Sequence, residues 1–153
     1  MGQWEYSHMY RDAEDSLAAS VASYGVWVAE LAANLRAAMG GAAEVIYRHN
    51  IAHDGSVSRV LSILQVDEMV WPGMGSEVVF ELYRKRESDS LGPLADTTSQ
   101  DGEHYVRVLF NGQVLKSSSP ALGEMDMVPA KTLLGYFDGL VGKDASLMKD
   151  LCK

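Results

Sequence analysis

Cysteine is all but missing from this chain. Of its 153 residues only Cys152 is a cysteine, so no internal disulfide can form; a thiol with a missing partner is the sharper reading of that position. No Asn-x-Ser/Thr sequence occurs, which leaves N-glycosylation without an acceptor. The N-terminus MGQWEYSHMY has neither the basic region nor the apolar core of a secretion signal. At face value that describes a cytosolic chain, or one whose true start lies upstream. No apolar run reaches the ~20 residues of a membrane span, and no internal repeat is visible. Basic residues are in deficit. The net charge of −8 argues against nucleic acid or an anionic membrane as partner, though not against a local basic phosphate pocket. The length suits one domain and is short for a complete doubly wound enzyme.

What is present is organised around AEVIYRHNIAHDGSVSRVLSIL, residues 43–64. Val45, Ile46 and Tyr47 are β-formers in an apolar run and predict a buried strand, apolar on both faces like a central parallel strand. Gly55 breaks the chain. From Ser56 the period changes, with Val57, Val60, Leu61 and Leu64 at helical spacing. Asp54 or Ser56 can cap that helix. A strand end feeding a helix start is where open α/β sheets bind ligands. Backbone N–H groups and the helix dipole there favour an anion. His53 and Asp54 stand at that junction.

Upstream, Gln3–Asp12 carries Trp4, Tyr6, His8 and Tyr10, an aromatic terminus that predicts packing against something. Leu17, Val21, Tyr24, Val28, Leu31 and Leu35 then form one stripe of a long helix. Acidic residues lie near its start and Gly40-Gly41 ends it. Its five aliphatics contribute at most roughly 8–15 kcal/mol if fully buried. The stripe is too short and too poor in flanking charge pairs for a coiled coil, so it predicts a helix covering a sheet.

Downstream, WPGMGS reads as a loop and Ser76–Lys85 as a strand in which Val78, Phe80 and Leu82 alternate with Val79, Glu81 and Tyr83. Arg86–Glu103 is polar and predicts a long surface loop. His104–Phe110 and Gln113–Lys116 form a hairpin about Asn111-Gly112, both of which tolerate positive φ. After a loop to Val128, Pro129 opens a helix whose apolar side is Leu133, Leu134, Phe137 and Leu140, ended by Gly142. Asp144 is placed to cap a last helix reaching Leu151. The order helix, strand, helix, three strands, two helices predicts an α/β fold with an antiparallel second half.

AHDGSVSRVL, WPGMGSEVVFELY, HYVRVLFNGQVL, LGEMDMVP and a terminal LMKDLC, in that order, resemble the C-terminal part of histidine acid phosphatases. These form the second branch of the histidine phosphatase superfamily, and the wording is closest to fungal members. WEYSHMYRDAEDSLAASVASYGVWVAELAANLRAAM resembles the segment just upstream of their His-Asp motif. The resemblance implies a phosphoglycerate-mutase-like sheet with flanking helices and an antiparallel hairpin. It implies hydrolysis of small phosphate monoesters through a phosphohistidine intermediate, with no metal or cofactor. Asp54 becomes the proton donor to the leaving oxygen, and His53 the group that binds the transferring phosphoryl. A carboxylic acid in reach of the bridging oxygen typically accelerates such a step ~10²–10⁴-fold, about 3–5 kcal/mol. Burial and the phosphate's own charge favour the protonated form of Asp54. Members are typically secreted, vacuolar or lysosomal, and Cys152 matches a family cysteine that is normally paired.

The family's nucleophile lies in an Arg-His-Gly-x-Arg-x-Pro motif that these residues lack. Arg48-His49-Asn50 imitates it, but Asn replaces Gly, Ala52 the second Arg and Asp54 the Pro. His49 and Arg48 therefore read as strand residues. The expectation is a single incomplete domain over residues 1–153, a fragment, truncated gene model or degenerate copy with negligible activity alone. The alternative is a non-catalytic pseudophosphatase or phosphate-binding module. A metal-dependent hydrolase using His49, His53 and Asp54 is a third reading. It fails on spacing, because residues i and i+4 of a strand share a face but stand too far apart. Met69, Met74, Met125 and Met127 read as core or loop filler, and the tryptophans as packing. His8 and His104 carry no partner pattern. Glu77 and Glu81 lie where they could touch the site.

Overall fold

The computed structural model describes residues 2–42, 45–85 and 103–148. In chain order these hold α1 (Gln3–Ser7), a π-helical turn (His8–Asp12), α2 (Ser16–Met39) and α3 (Asp54–Ile63). Then come β1 (Val78–Arg84), β2 (His104–Phe110), β3 (Gln113–Val114), β4 (Val128–Pro129) and α4 (Ala130–Val141). The fold is mixed α/β, with a four-stranded antiparallel sheet. Most of the predicted Arg86–Glu103 loop, and Cys152, fall outside the described residues.

The aliphatic stripe forms the predicted helix. Asp15 precedes α2 and Gly40 closes it, with Gly41 at φ +70 just beyond. Val21, Val28 and Leu35 are buried, and Leu17, Tyr24 and Leu31 pack at the margin. The surface it covers differs from expectation. α2 packs chiefly on α3 and α4, and α4 is the helix that lies against β2. Small residues explain the closeness. Ser20, Gly25 and Ala32 are all buried on the same helix, and a Cβ added at Gly25 would come within 3.1 Å of Val141 Cγ1. By length and composition α2 could cross a membrane, which the search for an apolar run did not anticipate. Its stripe packs on the neighbouring helices, and 33% of its apolar window is buried.

β2 is the central strand. β1 pairs with it antiparallel along its whole length, from Val78 opposite Phe110 to Arg84 opposite His104. β3 and β4 share its other edge. Alternation sets the faces: Phe80 opposite Val108 and Leu82 opposite Val106 turn toward the core, where both valines are wholly buried. The hairpin forms at Asn111-Gly112 with φ of +50 and +76, the left-handed pair its sequence demands. Leu133 and Phe137 of α4 complete the core with Leu61, Leu64 and Met125. As expected, Met69 and Met125 are core and Met74 lies in an exposed loop.

Two local expectations fail. Val45–Tyr47 is not a strand. Residues 45–53 have no regular structure, and Ile46 and Ile51 are 103% and 91% exposed. β-forming side chains give a strand only when another strand accepts their backbone groups, and none of the described residues does so. Nor does Asp144 cap a helix among the described residues, and residues 149–151 of the expected last helix lie outside them. Asp144 sits at φ +56 within the 3-10 turn Lys143–Ala145, because Gly142 at φ +73 turns the chain sharply out of α4.

Replacing a core side chain and an unpaired one separates these environments. Leu133→Ala should lower unfolding free energy by roughly 2–5 kcal/mol, read by denaturant titration. Ile46→Ser should change it by less than ~0.5 kcal/mol. A core-sized loss from Ile46→Ser would mean that residues 45–51 are paired in solution.

Candidate active site

α3 carries the His-Asp pair, and three hydroxyl contacts seat it. At its middle the Tyr6 hydroxyl donates to Ser58 Oγ at 2.7 Å. Next to its last residue, Ser20 Oγ of α2 donates to Ser62 Oγ at 2.8 Å. At its end the Tyr136 hydroxyl of α4 donates to the Ile63 carbonyl at 2.7 Å, and burial pushes that phenol up to about 12. Val60, Leu61, Ile63 and Leu64 are buried beneath. They cluster in the C-terminal half, so the first turn lies at the rim.

His53 occupies the N-cap position with extended backbone, φ −85 and ψ 165, and its side chain makes no capping bond. Its carbonyl accepts from the N–H groups of Ser56 at 3.0 Å and Val57 at 3.1 Å. Asp54 is the first helical residue rather than the cap, and its Oδ1 accepts from the Gly55 N–H at 2.7 Å. Both side chains are exposed, so the described residues do not build the apolar enclosure expected around Asp54. The helix start is as predicted. The strand end is not, because the chain entering the pair is irregular. What remains of the expected geometry is an imidazole and a carboxylate side by side at the positive end of a ten-residue helix, where partial charge favours an anion.

Arg48 and His49 also stand exposed on the irregular stretch, His49 beside Tyr47 with ring centroids 6.1 Å apart. Among the described residues no hydrogen bond or ion pair joins either to His53 or Asp54. The set His49, His53 and Asp54 is not gathered for a cation, and no group of three such ligands is found among the described residues.

Neither Glu77 nor Glu81 has a described bond to His53 or Asp54. The Glu77 N–H donates to Asn111 Oδ1 at 3.1 Å beside the hairpin. Glu81 faces Arg107 across the β1–β2 ladder and accepts from its Nε at 2.6 Å. The Tyr83 hydroxyl donates to the same carboxylate at 2.9 Å, and Arg107 Nη2 donates to Tyr83 at 2.7 Å. Arg107 first, then Tyr83, holds the Glu81 carboxyl below the usual carboxylate range.

The aromatic terminus supplies neighbours that sequence reasoning did not assign to the site. Tyr6 is 1% exposed. Its ring centroid lies 4.9 Å from that of Trp71 and 4.9 Å from that of Tyr10. The Arg59 guanidinium of α3 stacks over Tyr10 at 4.8 Å and donates to Ser20 Oγ at 3.2 Å. The concentration of aromatic residues before α2 was the signal. Their target, the N-terminal half of α3, was not readable from spacing. Trp4 behaves differently, remaining 73% exposed and stacked on His8 at 5.3 Å, a partner not foreseen for that histidine.

Over 78 residues, 51% of the chain, the sequence is 33% identical to human 2-phosphoxylose phosphatase 1. The match covers 14% of that protein, so the chain spans a small part of the length of the curated relative it matches. No protein-family model matches the chain. No solved structure matches it.

The Glu81 network has a pH signature of definite sign. A carboxyl depressed in the folded state contributes stability above its unfolded value, about 4.3. That contribution is lost as pH falls through the lower folded value. Thermal melts of wild type and Glu81→Gln should therefore differ at pH 6 and converge on acidification. A constant difference down to pH 2 would contradict the pairing.

Proposed function

We propose that this chain carries the leaving-group side of a phosphate-monoester hydrolase site of the histidine acid phosphatase type. Asp54 is the proton donor and His53 binds the transferring phosphoryl. The observation that carries this reading is the 33% identity, over 78 residues, to a phosphatase. The position of the pair supports it, because a phosphate against the first turn of α3 meets the positive end of the helix dipole beside an imidazole. The substrate class is a small phosphorylated molecule, and the reading calls for no metal or cofactor. The second-branch assignment and the fungal likeness rest on the sequence motifs.

The chemistry has two halves. An acid must meet the bridging oxygen within hydrogen-bond reach as the alcohol departs. A nucleophile must attack phosphorus from the opposite side, in line with the leaving group. Asp54 serves the first half. For the second, these 153 residues contain no Arg-His-Gly motif, and His49 lies on the irregular stretch with no described bond to the pair. The chain as it stands therefore holds phosphate and does not turn a monoester over. That is also the behaviour of the alternative, a non-catalytic phosphate-binding module, and the missing motif is what keeps it in play.

The purified chain should release no p-nitrophenol from p-nitrophenyl phosphate above background. It should bind inorganic phosphate weakly by calorimetry, and His53→Ala should abolish that binding. Turnover that disappears in His53→Ala would show that an attacking group is present after all. Phosphate binding unchanged by His53→Ala would remove the pair from the site.

A further inference from the structure

The start of α3 has a weakness that its surroundings repair. The His53 side chain makes no capping bond. The Gly55 N–H is met by Asp54 Oδ1 and those of Ser56 and Val57 by the His53 carbonyl, bonds at an exposed helix end that is prone to fray. Apolar packing does not hold that end. Gly55, Ser56 and Val57 are only half-buried, and the first wholly buried residue is Ser58. From there two hydrogen bonds run back to the site. The Tyr6 hydroxyl donates to Ser58 Oγ at 2.7 Å, and Ser58 Oγ donates to the Asp54 carbonyl at 2.7 Å.

We propose that Tyr6 is a positioning residue for the His53–Asp54 pair, acting through the Ser58 hydroxyl on the Asp54 backbone. Its functional meaning rests on the phosphatase reading above; its structural content does not. The relay sets the peptide that follows Asp54, and so the direction of the Asp54 Cα–Cβ bond and of the neighbouring imidazole. An acid must be placed to within about an ångström of the leaving oxygen to be useful, so a device fixing that peptide bears directly on the chemistry.

Tyr6 is built for the task. It is 1% exposed and packs against both Trp71 and Tyr10 with ring centroids 4.9 Å away, which holds its ring in place. The segment bearing it is fastened on both sides to the chain after α3. The Gln3 side-chain amide donates to the Met69 carbonyl, and Arg11 Nε donates to the Val66 carbonyl at 3.0 Å. Burial, partly offset by the Ser58 bond, raises the Tyr6 phenol, so it remains a donor across the neutral range. Arg59 over Tyr10 closes the column on the α3 side. The aromatic terminus is thus a brace under the N-terminal half of α3.

Tyr6→Phe removes only the hydroxyl and keeps the ring. NMR of the whole chain should show the His53 imidazole and Asp54 carboxyl resonances moved without any ligand. Amide exchange at Gly55, Ser56 and Val57 should be faster by roughly three- to tenfold, the size expected for one buried hydrogen bond. The affinity for inorganic phosphate, followed on the same resonances, should fall by a similar factor. Leu133→Ala, which destabilises the core far from the relay, should leave the His53 and Asp54 resonances in place and so controls for general loosening. Ser58→Ala breaks the relay from its middle and should act in the same direction if Tyr6→Phe folds poorly.

Wild-type resonances and exchange rates in both relay variants would overturn the inference, as would an equal displacement in Leu133→Ala. If wild type shows no response to phosphate, the phosphatase reading falls. The positioning role is then decided by the unliganded resonances alone.

Discussion

Between α2 and α3 the Ser20 hydroxyl donates to the Ser62 hydroxyl at 2.8 Å, and neither residue reaches solvent. Each serine is small enough to let two helices come close, and each would be costly to bury alone. With Val60, Leu61, Ile63 and Leu64 buried around that pair, α3 has one way to lie on α2. The rest is arranged about that seat. α4 reaches the end of α3 through Tyr136 and lies on β2 with its other side. The aromatic terminus reaches the middle of α3 through Tyr6. α3 is held along its length by neighbours distant in sequence, and the candidate site is the end that projects.

Periodicity and turn chemistry made most of this legible beforehand. The stripe from Leu17 to Leu35 requires a helix whatever its partner. Asn111-Gly112 requires a tight hairpin, and the alternation through Phe80 and Leu82 requires a strand with one face inward. The partner of α2 was not legible, because an apolar stripe looks the same facing a sheet or two helices. The serines and Gly25, small enough for close helix–helix contact, were the overlooked sign. Val45–Tyr47 misled for a related reason. Strand propensity describes side chains that suit a pleated surface, and it is silent on whether a neighbouring strand exists. Here Ile46 and Ile51 stand in solvent.

At the site, the residue types were legible and their support was not. His53, Asp54, Gly55 and the helical period after them announce a helix start suited to an anion. The Tyr6–Ser58 contact joins residues 52 apart in the chain and could not be read from one sequence. Glu81 shows the converse. Its place on the strand after the motif left it where it could reach the site without making it a choice for it, and the ladder sets it opposite Arg107, a cation that satisfies it. Among the described residues no cation meets the His53 imidazole or the Asp54 carboxylate, and both are exposed at the positive end of a helix. Likeness over 78 residues to a phosphatase is what supports the proposal that the ligand is a phosphate.

The position of a bound phosphate mimic tests this account most directly. Diffraction from crystals of the chain grown with tungstate should place the oxyanion against the first turn of α3, its oxygens within hydrogen-bond distance of the His53 imidazole and beside the Asp54 carboxyl. Tungstate bound elsewhere on the molecule, with the first turn of α3 empty at saturating concentration, would contradict it.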